Sequence, residues 1–255
     1  MGLKEVPMVA GSDQSADIVV TVDGDCATVS LSRPHVRNAQ TSEMWNQLAQ
    51  IGQSMSADVR FVVLRGEGED FSAGLDRQAL AGPMIDQLRD NPRPFITAAQ
   101  AGFAVWSNIP QTVIAQVQGN AIGAGFQLAL ASDVIIAASN ARFAMRETSL
   151  GLVPDLGGTG ALVDAIGYRR TFALCATGDF LSADQAHRCG VVHQVADDAS
   201  AAVTAFVDKL RSVDPGALRD LKALLRTVAR DQQSWDAERE VQVRRLAALF
   251  GTVRT

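Results

Sequence analysis

Apolar positions along the first two thirds of the chain come in short runs, each closed by a glycine- or proline-marked break. Ile18-Val19-Val20 and Ala27-Thr28-Val29 flank Asp23-Gly24-Asp25, which predicts a β-hairpin over 18–32. Thr41 or Ser42 can cap a helix running to about Met55, with Met44, Leu48 and Ile51 on one face. Phe61-Val62-Val63-Leu64 reads as a buried strand ended by Arg65-Gly66-Glu67-Gly68, and Phe71-Ser72-Ala73-Gly74-Leu75-Asp76 as a glycine-marked turn. Pro83, Pro92 and Pro94 predict an irregular loop before a long helix over about 93–108, which stops ahead of Pro110. A strand over 112–117 meets the turn 119–125, followed by a helix over about 125–132, a strand over 133–137 and a short strand over 142–145. A loop over 147–156 leads into a helix over 157–166. Ser182-x-x-Gln185 is a capping box, Gly190 a helix stop, and 191–195 a last strand. Beyond Asp198 the pattern is helical throughout. Ala202, Phe206 and Leu210 share one face, Leu218, Leu221, Leu224 and Leu225 another, and a third helix spans about 231–250.

The order is strand–strand–helix, strand–helix, strand–helix–strand, then helices, which differs from a regular βαβ alternation. Composition sharpens this. The 255 residues are 47% hydrophobic and 5% aromatic, with 39 Ala beside 21 Gly, so the apolar content is small and aliphatic and backbones can approach closely. The length suits one large domain or a core with an appendage, and 20% charged residues exclude a disordered chain. A net charge of −5 argues against bulk binding to nucleic acid. No apolar run approaches the roughly 18 residues of a membrane span. Residues 1–16 lack a secretory apolar core and read as a flexible tail. Cys26, Cys175 and Cys189 are scattered, and His35, His187 and His193 form no HxxxH or HExxH pattern, so buried thiols in a reducing cytoplasm and no metal site are expected. From 199 onward ten Lys/Arg face seven Asp/Glu, a net +3 against −8 for the rest. That tail is either a solvated helical surface or a contributor to binding an anionic ligand.

Several chemical motifs fail. Gly123-Ala124-Gly125, after a strand and before a helix, is like the start of a dinucleotide fingerprint, but Leu128 occupies its third glycine position. No GxxxxGK[ST] occurs, and Asp70-Phe71-Ser72-Ala73-Gly74 lacks the first glycine of a nucleophile elbow. Two small-residue turns remain, 72–76 and 119–125, each after a strand and before helical sequence. Such turns either serve backbone geometry alone or present unpaired N–H groups to one oxygen atom, as an oxyanion hole for a thioester enolate requires.

The ordered combination is more specific. Ser32-Arg33-Pro34-x-x-Arg37-Asn38-Ala39 precedes Phe71-Ser72-Ala73-Gly74-Leu75-Asp76 and Gly119-Asn120-Ala121-Ile122-Gly123-Ala124-Gly125. Ser132-Asp133-Val134, Ala141-Arg142-Phe143, Glu147-x-x-Leu150-Gly151-Leu152-Val153-Pro154, Gly157-Gly158-Thr159 and Thr177-Gly178-x-x-Leu181-Ser182-Ala183 follow. The series resembles the enoyl-CoA hydratase/isomerase (crotonase) superfamily over about residues 18–250.

The resemblance implies an α/β fold, a crotonase-like spiral of ββα units (17–198) followed by a C-terminal helical trimerisation region (199–255), in a homotrimer or a hexamer of paired trimers. It implies a CoA thioester as substrate and no permanently bound cofactor. It assigns the oxyanion hole to the backbone N–H groups of Leu75 and Ala124. Family hydratases carry two pocket glutamates; one matches Glu147, while the other position holds Gln127. Gln cannot exchange a proton near neutral pH, so hydration by paired carboxylates is in doubt. Double-bond isomerisation needs one carboxylate, as in family isomerases with a single glutamate at the Glu147 position. Asp155 falls where dienoyl-CoA isomerases carry a catalytic aspartate, so it is either a second acid or a cap on the helix at Gly157. Gln127 either lines the pocket or faces solvent. Arg37 either meets a CoA phosphate or lies on the surface. Ala73 offers its carbonyl to the adenine, Asp76 shapes the turn, and stretch 77–100 shapes the acyl pocket. The expectation is an isomerase using Glu147, with a 2-enoyl-CoA hydratase and a weakly catalytic acyl-CoA-binding protein as alternatives.

Overall fold

The computed structural model describes residues 16–78, 83–230 and, near the C-terminus, 239, 240, 242–244, 246 and 247. The expected tail lies outside these residues apart from Ala16, as do 79–82 and the first part of the expected third helix, 231–238.

Strands β1 (Ile18–Asp23) and β2 (Cys26–Leu31) form the expected hairpin. Helix α1 (Ser42–Gln53) starts where Thr41 Oγ1 accepts the Met44 N–H at 3.3 Å, which satisfies one of the donors left free at a helix start. Then come β3 (Phe61–Gly66), α2 (Pro83–Asp90), α3 (Pro92–Asn108), β4 (Thr112–Val117), β5 (Asn120–Ile122) and α4 (Ala124–Leu130). They are followed by β6 (Val134–Ala138), β7 (Arg142–Ala144), α5 (Gly158–Thr177), β8 (Leu181–Ser182), α6 (Ala183–Arg188), β9 (Gln194–Ala196), α7 (Ala199–Arg211) and α8 (Pro215–Arg230).

Among the described residues a six-stranded sheet runs β1-β2-β3-β4-β6-β9, parallel except for the β1–β2 hairpin, and a three-stranded sheet runs β5-β7-β8. The central strands are apolar on both faces because both faces are covered. Val62, Leu64, Val113 and Ala115 join the main core with Met44 and Leu48 of α1 and Phe103 of α3. The alternate residues Phe61, Val63, Ile114 and Ile136 pack against Val203 and Val207 of α7. The first helix of the basic tail therefore seals one face of the sheet.

Four expectations need correction. The stretch before the long helix holds α2 instead of an irregular loop throughout, and Pro83 and Pro92 each open a helix. Proline fits there because the first-turn N–H groups have no intrahelical partner. The helix expected over 157–166 continues to Thr177, in two segments across Gly167, whose φ of 75° and ψ of 160° break the helical path. The strand expected over 191–195 is shifted to β9, because the N–H groups of Val191 and Val192 both donate to Ala186 O and finish α6. Finally, the turn 119–125 contains strand β5, paired in parallel with β7. The Ser182–Gln185 capping box is present as expected, and Gly190 follows α6 with φ 92°.

Helix α8 is tied to the core by a partly buried cluster. Lys222 Nζ donates to Gln111 O at 2.6 Å and lies 2.8 Å from Asp133 Oδ2, while Arg226 holds Asp133 Oδ1 at 2.7 Å. Burial pushes the Lys222 ammonium below its usual range, and Asp133 opposes this. Asp133→Ala leaves that ammonium unpaired and removes the acceptor for the Val113 N–H. It is expected to lower stability by about 3 kcal/mol, read from urea unfolding.

Candidate active site

The two small-residue turns lie against each other. Ser72 pairs with Ala121 in a parallel bridge, its N–H donating to Asn120 O and its carbonyl accepting from Ile122 N. Gly74 has φ 88°, and a Cβ placed on it would meet Ile122 O at 2.4 Å and Ala124 N at 3.5 Å. A Cβ on Gly125 would meet Ser72 O at 2.5 Å. Backbone thus meets backbone here, and glycine is required on both sides.

This packing aims two amides at one space. Leu75 bridges Gln40, but both bonds of that bridge come from its neighbours: Gln40 N donates to Gly74 O at 2.7 Å and Asp76 N donates to Gln40 O at 2.8 Å. The Leu75 N–H therefore faces away from Gln40. Ala124 is the first residue of α4, ahead of the intrahelical ladder. Neither N–H has a partner among the described residues, and both residues line one cavity.

A buried polar frame holds the first turn. Ser72 Oγ donates to Asn38 O at 2.7 Å and accepts from Gln40 Nε2 and Gly74 N, while Gln40 Oε1 accepts from Trp45 Nε1 at 2.9 Å. Asn38 Nδ2 donates to Glu67 O and Asp70 O. Asp76 is tied to Arg33 at 3.0 Å and accepts the Gln78 N–H, so its carboxylate holds the turn. The Ala73 N–H donates to Arg37 O. The Arg37 side chain is 74% exposed, 3.8 Å from Asp70, and does not line the cavity. Sequence reading did not single out Gln40, Asn38 or Arg33 for these roles, because a buried polar side chain carries no periodic signature.

Glu147, the first residue of a 3-10 turn ending at Leu150, lines the same cavity. Its Oε1 accepts from Gln127 Nε2 at 2.8 Å, and a Cβ on Gly123 would come within 3.2 Å of the same oxygen. Its Oε2 is buried with no hydrogen-bond partner among the described residues. Burial pushes the carboxyl above its ordinary range, against hydrogen bonds that favour the anion. Gln127 is 1% exposed, which excludes the solvent-facing alternative. Its Oε1 accepts from Leu156 N at 2.9 Å and Gly158 N at 3.3 Å.

Asp155 lines the same cavity, and its carbonyl accepts from Gln100 Nε2. The N-cap position of α5 is Gly157. The cavity, about 440 Å³, is otherwise mostly apolar: Trp45 from α1, Met84, Ile85 and Leu88 from α2, and Phe95, Ile96 and Ala99 from α3 close it. Stretch 77–100 thus shapes the apolar end, as expected, and Gln242 and Leu246 of the C-terminal helix were missed as lining residues. A buried carboxylate oxygen in one cavity with two free amides is an arrangement able to move a proton beside a carbonyl whose oxygen takes up negative charge.

A family model described as enoyl-CoA hydratase/isomerase matches residues 22–250. The chain belongs to this family. It is 37% identical over 201 residues to the 1,2-epoxyphenylacetyl-CoA isomerase of Escherichia coli K12, covering 74% of this chain and 72% of the relative. It is 30% identical over 215 residues to the 2,3-dehydroadipyl-CoA hydratase of the same organism, covering 83% and 82%. A candidate enoyl-CoA hydratase from Thermobifida fusca YX, solved in complex with acetoacetyl-CoA, superposes with a TM-score of 0.81 at 39% identity, covering 92% of this chain and 95% of that one. The crotonase-like fold and an enzyme of the enoyl-CoA hydratase/isomerase family follow from these matches together with the sheets and helices above. The relatives carry both isomerase and hydratase names, so the family leaves the reaction open.

Proposed function

We propose that this family member binds a CoA thioester with an apolar acyl chain and moves a double bond along it, with Glu147 as the proton-carrying base. The observation that carries the reading is the lone buried Oε2 of Glu147, whose neighbour Gln127 is an amide already engaged on both its polar atoms. In a 3-enoyl-CoA, Oε2 takes a proton from C2, and the electrons pass to the thioester oxygen as an enolate held by the Leu75 and Ala124 N–H groups. The same proton is then delivered to C4, which leaves a 2-enoyl-CoA and an ionised Glu147. Two such donors contribute roughly 3–6 kcal/mol to the enolate-like transition state. Asp155 serves as a second acid where proton delivery lies further along the chain, as in a 3,5-dienoyl-CoA. No cofactor is required. The Ala73 carbonyl, beside the turn, is available to the CoA adenine, and Arg37 and the basic tail to its phosphates.

Hydration of a 2-enoyl-CoA is the second reading, favoured by the hydratase names among relatives. A panel of acyl-CoA double-bond positions separates the two. The 3-enoyl-CoA should gain conjugated-enoyl absorbance, while the 2-enoyl-CoA should lose it slowly or not at all. The reverse pattern makes the protein a hydratase, and flat traces with intact thioester binding make it a binding protein. Asp155→Asn is expected to slow a 3,5-dienoyl-CoA by about 10²-fold and a simple 3-enoyl-CoA less than about three-fold. Equal small losses on both would give Asp155 a purely structural part. Exposed Tyr168, Phe172, Leu221, Leu224 and Leu225 support a homotrimer or a hexamer of two trimers, which light scattering on the purified protein tests.

A further inference from the structure

We propose that Gln127 is a positioning residue that sets the orientation and the ionisation of Glu147. Its carboxamide is a clamp with one permitted orientation. This rests on the reading of Glu147 as the base only for its catalytic consequence; the clamp itself stands on hydrogen-bond geometry.

The oxygen and nitrogen of a glutamine amide are ordinarily assigned from their partners. Here the partners leave no choice. The N–H groups of Leu156 and Gly158 are donors only, so the atom facing them must be the acceptor Oε1. The other end is then Nε2, and it must donate to Glu147 Oε1. Glycine at 158 makes the fit possible, since a Cβ there would come within 2.7 Å of Gln127 Cγ.

Two consequences follow. First, one turn of α4 supplies both the Ala124 amide and, three residues on, the side chain that holds Glu147. The base and the oxyanion donor therefore share one rigid support. Second, Glu147 is left with a single unengaged oxygen, Oε2, while both lone pairs of Gln127 Oε1 are taken. A water beside Glu147 cannot use Gln127 Oε1 as a second acceptor.

The clamp also bears on titration: burial raises the Glu147 carboxyl first, and backbone hydrogen bonds at Glu147 and Arg146 and the Gln127 amide act against it, with few charges nearby. Helix α4 and strand β5 contribute no charged residue to this site, and the first turn of α5 has no acidic one. Arg146 turns its guanidinium to Gly178 O, Asp76 is paired with Arg33, and Arg239 reaches Gln100. Arg77 and Asp155 line the cavity.

Gln127→Glu and Gln127→Met test the clamp. The first keeps an acceptor for Leu156 and Gly158 and replaces the donor facing Glu147 by a like charge; the second removes both functions. The Glu147 carboxyl is followed by ¹³C NMR in glutamate-labelled protein, assigned with Glu147→Gln, and the pH profile of kcat/KM is recorded on whichever enoyl-CoA the native protein turns over. In both variants the Glu147 titration and the acid limb of kcat/KM are expected to move up by about one pH unit or more. Loss of kcat is expected to exceed any change in KM. Should the methionine variant fold poorly, the glutamate variant alone carries the test, since it retains the anchor to α5. An unmoved Glu147 titration in Gln127→Glu overturns the proposal. A shifted titration with an unmoved kcat/KM limb upholds the clamp and removes Glu147 from proton transfer, so the failure of the functional reading is told apart from that of the clamp.

Discussion

Glu147→Gln is expected to lower kcat on the active enoyl-CoA by about 10³-fold or more while leaving the affinity for a CoA thioester within about two-fold. The amide is nearly isosteric and still hydrogen-bonds to Gln127, so the cavity keeps its shape, but it can neither accept nor return a proton. Stopped-flow turnover and titration calorimetry measure the two quantities, and full activity in this variant rejects Glu147 as the base. The same substitution carries a stability signature. Burial raises the carboxyl above its ordinary range, so the folded state holds the proton more tightly than the unfolded chain does. The stability contributed by the neutral acid is complete below the unfolded value and is lost as pH rises through the folded one. Native protein should therefore fall in melting temperature across that window relative to Glu147→Gln, with the two curves converging in acid. Below the folded value the base is protonated, so kcat/KM should rise through the same window in which stability falls. A group that is tolerated at a stability cost and needed in its ionised form is what a working base looks like.

How much of this was legible before the structure depended on the kind of information each residue carries. Strands β3, β4 and β6 announce themselves because a parallel sheet covered on both faces needs nearly continuous apolar runs such as Phe61–Gly66, and β1 and β2 because a turn at Asp23-Gly24-Asp25 separates two short apolar runs. Helix α2 was hidden by its opening proline, which reads equally as a breaker or a first-turn residue until the chain around it is packed. Leu75 and Ala124 were reachable from the glycines beside them, since only a motif can report a backbone amide whose side chain is immaterial. Gln127 was legible as a departure from a glutamate, yet its meaning was not. The two amides that fix its orientation belong to Leu156 and Gly158, some thirty residues away, and no local pattern links them. The same holds for Gln40 and Asn38, whose partners become neighbours only when the turn at Ser72 docks.

Gly74→Ala is the second large effect expected, and one methyl group produces it. At φ 88° an L-residue is strained by about 1–2 kcal/mol, and its Cβ would stand 2.4 Å from Ile122 O, a rigid backbone atom. The turn must move away from β5, and the Leu75 N–H, next in the chain, moves with it. The Ala124 N–H lies 3.5 Å from the same Cβ, so the two donors separate from each other as well. Loss of one such donor lowers kcat by about 10²–10³-fold, and that is the expected fall here. Affinity for acetoacetyl-CoA, whose enolate form the two amides would hold, should drop in parallel. Backbone strain by itself needs a control, which the hairpin provides. Gly24 has φ 58° and nothing within 4 Å of a Cβ, so Gly24→Ala imposes similar strain far from the cavity. It should lower the melting temperature while keeping kcat within about two-fold. If Gly74→Ala, measured on folded protein, also keeps kcat within that margin, the Leu75 amide has no part in stabilising the enolate. If the two variants differ by the expected factor, the glycine is retained for the position of an N–H rather than for the turn alone.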